Sequence, residues 1–265
     1  MVALAAAAGS AAGAPPASGD WVVAGTETYA DQTIVVHGNV YIRAPGDLTL
    51  INVTLEVNST VAARRGVVVE AGATLRTRDR DDSTVSSSDR TVIRPLSASE
   101  RITFVAAPNS SIDLQQTALW GVGYTQSPLN ASAVFIKTNS TVLRNVSVYA
   151  SFYGIYFQGV AGSFEDLWVH NNTYDGLEVD ASSNVSVFRL LAADNGGTGV
   201  HIPGGRFQVT GASIYGNGDG LAVKFDGRAT VSVFDVSGNG RGLVALNNAA
   251  GTPIYALVFC GLPGP

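Results

Sequence analysis

The sequence predicts an all-β solenoid, a chain wound into stacked coils of short parallel strands. Three observations predict it. The first is a repeat. A Gly followed by an aliphatic residue recurs at Gly154-Ile155, Gly176-Leu177, Gly199-Val200, Gly220-Leu221 and Gly242-Leu243, which stand 22, 23, 21 and 22 residues apart. A fixed period in this range marks an architecture in which each repeat buries its apolar face only by stacking on the next. The second is the alternation that follows each Gly, as in Leu177-Glu-Val179 and Val200-His-Ile202. That is period two, and no stretch after Asp20 shows the 3.6-residue spacing of an amphipathic helix. The third is the connections, which are turns of three to eight residues. Crossover helices do not fit in them, which excludes a βαβ fold.

In chain order, residues 1–18 open on MVALAAAAGSAAGAPPA and read as a signal-peptide remnant or an Ala/Pro linker. Residues 19–265 form the solenoid domain. The first inward residue of each run gives an anchor: Val40, Val67, Ile102, Val134, Ile155, Leu177, Val200, Leu221 and Leu243. About nine to ten coils follow, each supplying two or three short strands. Residues 138–246 are the regular 22-residue coils, and residues 67–134 are irregular coils with insertions. The surplus falls at Arg76–Arg90 and Leu119–Asn130, both expected to emerge on the same side.

The corners read Asn171-Asn-Thr-Tyr-Asp-Gly176, Asn195-Gly-Gly-Thr-Gly199, Asn217-Gly-Asp-Gly220 and Asn239-Gly-Arg-Gly242. Asn and Gly tolerate the left-handed backbone of a sharp corner, and asparagines stacked coil on coil form an amide ladder. With these corners, Thr138–Leu246 resembles the right-handed parallel β-helix repeat family, the pectate-lyase-like superfamily. The phrase Gly46–Leu55 is similar to openings of secreted archaeal β-helix surface proteins. The resemblance implies a single right-handed parallel β-helix. It leaves function open among polysaccharide lyases, hydrolases and epimerases, tailspikes, adhesins and surface proteins without activity.

Composition narrows this further. Net charge is −5 with no basic block, so nothing points to nucleic acid. Three histidines, one methionine and the lone Cys260, read as a small buried residue, argue against a dedicated metal site and a copper-accessory role. No apolar run is long enough to span a membrane. Asn-x-Ser/Thr acceptors occur at Asn52, Asn58, Asn109, Asn130, Asn139, Asn145, Asn171 and Asn184, eight of fifteen asparagines. That pairing frequency points to a glycosylated, secreted or cell-surface protein. The C-terminal end lacks a polar cap, so the expectation is that it continues or is covered by another domain or subunit.

Two sets of residues are candidates for function. On the outward face, Glu178, Asp180, His201 and Lys224 fall on adjacent coils, and the first two stand i, i+2 on one strand. Paired carboxylates with a neighbouring His suit acid/base work on a glycosidic bond. The plainer reading is a solvated face with cross-rung Glu–His and Asp–Lys pairs. The second set, Trp120, Tyr124, Tyr149, Tyr153, Tyr156, Gln158, Tyr174 and Asp175, suits sugar binding through aromatic stacking and polar tips. Rim packing is its plainer reading. No cofactor is expected, with calcium at Asp79, Asp81 and Asp82 the nearest alternative. The expected role is structural or glycan-binding, and the alternative is a carbohydrate-active enzyme using the acidic/His/Lys patch.

Overall fold

The computed structural model describes residues 15–81, 90–126 and 128–246, without the side chains of residues 233, 234, 245 and 246. Asp82, Cys260, most of the leader and the C-terminal end therefore lie outside the described residues.

Two parallel sheets run the length of a right-handed β-helix. The first is built from short strands at Trp21–Val23, Val40–Ile42, Gly66–Val69, Thr103–Ala106, Val134–Ile136, Ile155–Phe157, Leu177–Val179, Thr198–Ile202, Asp219–Lys224 and Arg241–Leu246, each paired with the next. The second stacks Thr26–Val36, Asp47–Val57, Ser111–Trp120, Ser140–Tyr149, Ala161–His170, Asn184–Ala193, Arg206–Tyr215 and Arg228–Ser237. One coil of this sheet, between Asp47–Val57 and Ser111–Trp120, is split into Thr74–Arg78 and Thr91–Pro95. Inward side chains from both sheets merge into one core that runs from Trp21 to Val231.

The inward column of the first sheet is Trp21, Val40, Val67, Phe104, Val134, Ile155, Leu177, Val200, Leu221 and Leu243. The expected anchor Ile102 is displaced by Phe104. Both are fully buried and two apart, so alternation alone cannot choose between them. Ile102 instead bridges Val122 in the corner. Trp21 adds a rung ahead of the predicted first one.

Seven of the second sheet's long strands are each two strands joined at one left-handed residue. Asp31, Asn52, Gln116, Asn145, Asp166, Arg189 and Gly211 hold φ between 49° and 73° and stack above one another. A non-glycine residue gives up conformational free energy there. Polar side chains offset it: Asn52 Nδ2 donates to Asp31 Oδ1 at 2.8 Å, Asn145 donates to Gln116, and the Arg189 guanidinium reaches Asp166 at 2.5 Å. The insertion between Arg78 and Thr91 opens at this bend. The insertion after Trp120 opens at the next corner, before Val134. The two emerge at different corners rather than on one side.

That next corner carries the amide ladder. Asn172, Asn195, Asn217 and Asn239 are joined by Nδ2–H···Oδ1 bonds of 2.9 Å at every step. The ladder starts at Asn172, which is buried, and not at Asn171, which is exposed with φ 54°. The glycine beat has its cause here. A Cβ on Gly199 would lie 2.8 Å from Asn217 Nδ2 and 2.9 Å from the Gly220 carbonyl, and Gly176 and Gly220 meet the same two obstacles. Ladder and glycines therefore require each other.

Candidate functional site

The outward face of the short-strand sheet changes character along its length. Val105, Phe135, Tyr156, Glu178, His201 and Ala222 stand in one column, a rung apart. The Phe104 register puts Val105 in this column, where an anchor at Ile102 would put Thr103. Phe135 and Tyr156 pack with Ala133, Val105 and Tyr153 into a small apolar cluster outside the coil. Glu178 and His201 follow directly after it.

Asp175 joins them from the corner that precedes Leu177–Val179. His201 Nδ1 lies 3.2 Å from Asp175 Oδ2 and 3.8 Å from Glu178 Oε1. These are ion-pair distances, but neither oxygen makes a hydrogen bond with the ring. Both imidazole nitrogens are buried without a hydrogen-bond partner. Asp175 is aimed by its other oxygen, Oδ1, which accepts the Thr198 amide at 2.6 Å. Gly197 makes room for that bond, since a Cβ there would stand 2.4 Å from Asp175 Oδ1.

Burial pushes the Glu178 carboxyl up to about 7, with Asp175 and Asp180 adding to the rise and His201 and Lys224 opposing it. Burial, then Asp175 and Glu178, push the Tyr153 phenol up to about 12. Tyr156 is raised as well, by burial and then by Glu178 and Asp180. Asp180, His201 and Lys224 of the sequence-predicted patch thus all act electrically on Glu178. Of these, Glu178 and His201 stand at ion-pair distance, while the Asp180 carboxylate accepts from Gln158 Nε2 at 3.0 Å. Sequence reading sorts Asp175 with the aromatic edge, whereas the fold adds it to the acidic/His patch.

The aromatic candidates divide between two places. Tyr153 stacks on Tyr174 with centroids 5.3 Å apart, and Phe152 packs against Tyr174 at 4.7 Å, which makes a ridge beside Asp175 with Tyr174 as its exposed ring. Arg101, which sequence reading passed over, braces that ridge by donating to the Ala150 carbonyl and to Thr173 Oγ1. Trp120 and Tyr149 sit on adjacent coils at the ends of long strands, and Tyr149 stacks on His170. Arg94 lies over Trp120, and Arg64 over Tyr124 at 4.6 Å. Of the calcium alternative, Asp79 is buried and Asp81 exposed.

Among the glycosylation candidates, Asn109, Asn130, Asn139, Asn171 and Asn184 are exposed. Asn52, Asn58 and Asn145 are half-buried with their amide nitrogens hydrogen-bonded to Asp31, His37 and Gln116.

These coils define the class: a right-handed parallel β-helix. Residues 153–254 match the family model described as right handed beta helix region, and the same coil geometry continues back to Trp21. No curated protein and no solved structure matches the chain. No helix among the described residues is long and apolar enough to cross a membrane.

Proposed function

We propose that this β-helix is a domain of an exported or cell-surface protein, N-glycosylated, that binds polysaccharide at the Tyr153–Tyr174 ridge. The observation that carries this reading is the ridge itself. Tyr174 is 36% exposed and stacked on Tyr153, with Asp175 as the next residue. An exposed aromatic face takes the C–H face of a sugar, and a neighbouring carboxylate orients its hydroxyls. Five exposed acceptor asparagines support export into a glycosylating compartment.

Calorimetric titration with neutral and acidic polysaccharides tests the binding. Tyr174→Ala is expected to lose at least about tenfold in affinity, the equivalent of about 1.4 kcal/mol. Equal binding by parent and variant sinks the proposal. Mass spectrometry of the native protein is expected to find glycan at several of the exposed Asn109, Asn130, Asn139, Asn171 and Asn184, and at none of the half-buried Asn52, Asn58 and Asn145. A bare protein removes the case for export.

One observation favours a second reading, a carbohydrate-active enzyme. Glu178 is held near neutrality beside His201 and Asp175, and a carboxyl poised there serves as a general acid. A panel of polyuronates and neutral glycans assayed with parent and Glu178→Gln decides it. Inactivity of the parent on every substrate excludes this reading.

A further inference from the structure

We propose that Asp175, Glu178 and His201 form a binding site for one divalent cation of the zinc or manganese type. Among the described residues these three are the group whose ligand atoms, one carboxylate oxygen each from Asp175 and Glu178 and one imidazole nitrogen, all lie within 4.8 Å of one another. Ligand atoms around a tetrahedral zinc stand roughly 3.3–3.5 Å apart. The Nδ1–Asp175 and Nδ1–Glu178 separations of 3.2 and 3.8 Å bracket that value without any movement of the backbone.

The direction of the contacts also favours a cation. A hydrogen bond needs its acceptor on the line of the N–H, but bonds that diverge from a shared metal leave the ligand atoms off that line. Here the Asp175 oxygen lies within hydrogen-bond distance of Nδ1 yet off its line, and the ring has no hydrogen-bond partner at either nitrogen. A buried imidazole nitrogen without a partner costs free energy that a metal bond offsets. Two carboxylates neutralise a 2+ ion, which lowers the cost of holding it in a half-buried place. One nitrogen and two oxygens select the borderline metals rather than calcium or copper(I).

The surroundings support the same assignment. Thr198 N–H fixes Asp175 through Oδ1 and leaves Oδ2 for the ion, which is how second partners orient metal ligands. Gly197 is a second requirement, because any side chain there displaces Asp175. Three protein ligands leave a coordination position for water or a sugar oxygen. The inference does not depend on glycan binding, because metal retention is read without any sugar.

The test is calorimetric titration of chelator-stripped protein with Zn2+ and with Mn2+, together with thermal melts. One cation per chain and a rise in Tm are expected. His201→Ala and Asp175→Asn, each verified as folded by circular dichroism, are expected to weaken binding at least about tenfold. Gly197→Ala tests the cradle with all three ligands present and is expected to weaken binding too. Co2+ substitution is expected to give visible absorption that His201→Ala abolishes. No heat and no Tm shift with either cation overturns the proposal, as does undiminished binding by both His201→Ala and Asp175→Asn.

Discussion

Two corners of the same coil answer the same problem in opposite ways. At the ladder corner the amide side chains point into the coil, and Asn172, Asn195, Asn217 and Asn239 repeat one residue four times. Each ladder amide follows a left-handed residue, Asn171, Asp194, Gly216 or Gly238, and at the outer bend the chain holds one too. There it uses Asp31, Asn52, Gln116, Asn145, Asp166, Arg189 or Gly211. Burial makes the difference. Inside, every donor and acceptor must be met by the neighbouring coil, and only an amide carries both in the right place. Outside, where all of these but Gln116 reach water, solvent completes whatever a side chain leaves open, so any polar residue or a bare glycine serves. Both corners admit an insertion, between Arg78 and Thr91 at the outer bend and after Trp120 on the ladder side, in coils that precede the ladder.

The strongest way to break this comparison is at the centre of the ladder. Asn195 bonds Asn172, Asn217 and the Val169 carbonyl. Asn195→Ala removes these bonds and strands their buried partners, and is expected to lower unfolding free energy by about 3–5 kcal/mol. Urea denaturation measures it, and a loss below about 1 kcal/mol would contradict a structural ladder.

A buried charge outside both corners sharpens the rule. Burial holds Glu178 at about 7, above its ordinary value. Its contribution to stability is therefore present below the unfolded pKa and is lost as pH rises through about 7. Measured with chelator to keep cations away, the parent is expected to weaken between pH 5 and 8 by about 3 kcal/mol more than Glu178→Gln does. Parallel pH curves for the two proteins would disprove the shift.

Next in size is the glycine beat. Gly199→Ala drives a methyl against Asn217 and the Gly220 carbonyl, and is expected to cost about 1–3 kcal/mol by thermal melt. The smallest effect belongs to the outer bend. Arg189→Gly copies the residue that Gly211 places one coil on, and its urea midpoint is expected to match the parent's. A marked drop there would erase the contrast between the corners.

The same contrast explains what was legible in the sequence. The glycine–asparagine beat shows plainly, because a buried ladder tolerates one solution. The outer bend does not show, because its left-handed positions share no residue type, so two strands read as one apolar run. Phe104 hides behind Ile102 because both satisfy alternation. Glu178 and His201 follow from rung spacing alone. Asp175 escapes that reading because it lies in a corner, three residues before Glu178, where strand periodicity no longer applies. The signal for it is indirect: Gly197, one coil on, is small so that Asp175 can be held.

The interlock of glycine and ladder amide also has a mechanical consequence. Each coil grips only its neighbours, through nearly the same contacts at every step. Pulled from the C-terminal side, the regular coils should release one at a time at similar force. Each would pay out about 22 residues, or about 75 Å of contour. The force trace would be an evenly spaced staircase that loses its regularity on reaching the coils before Thr138.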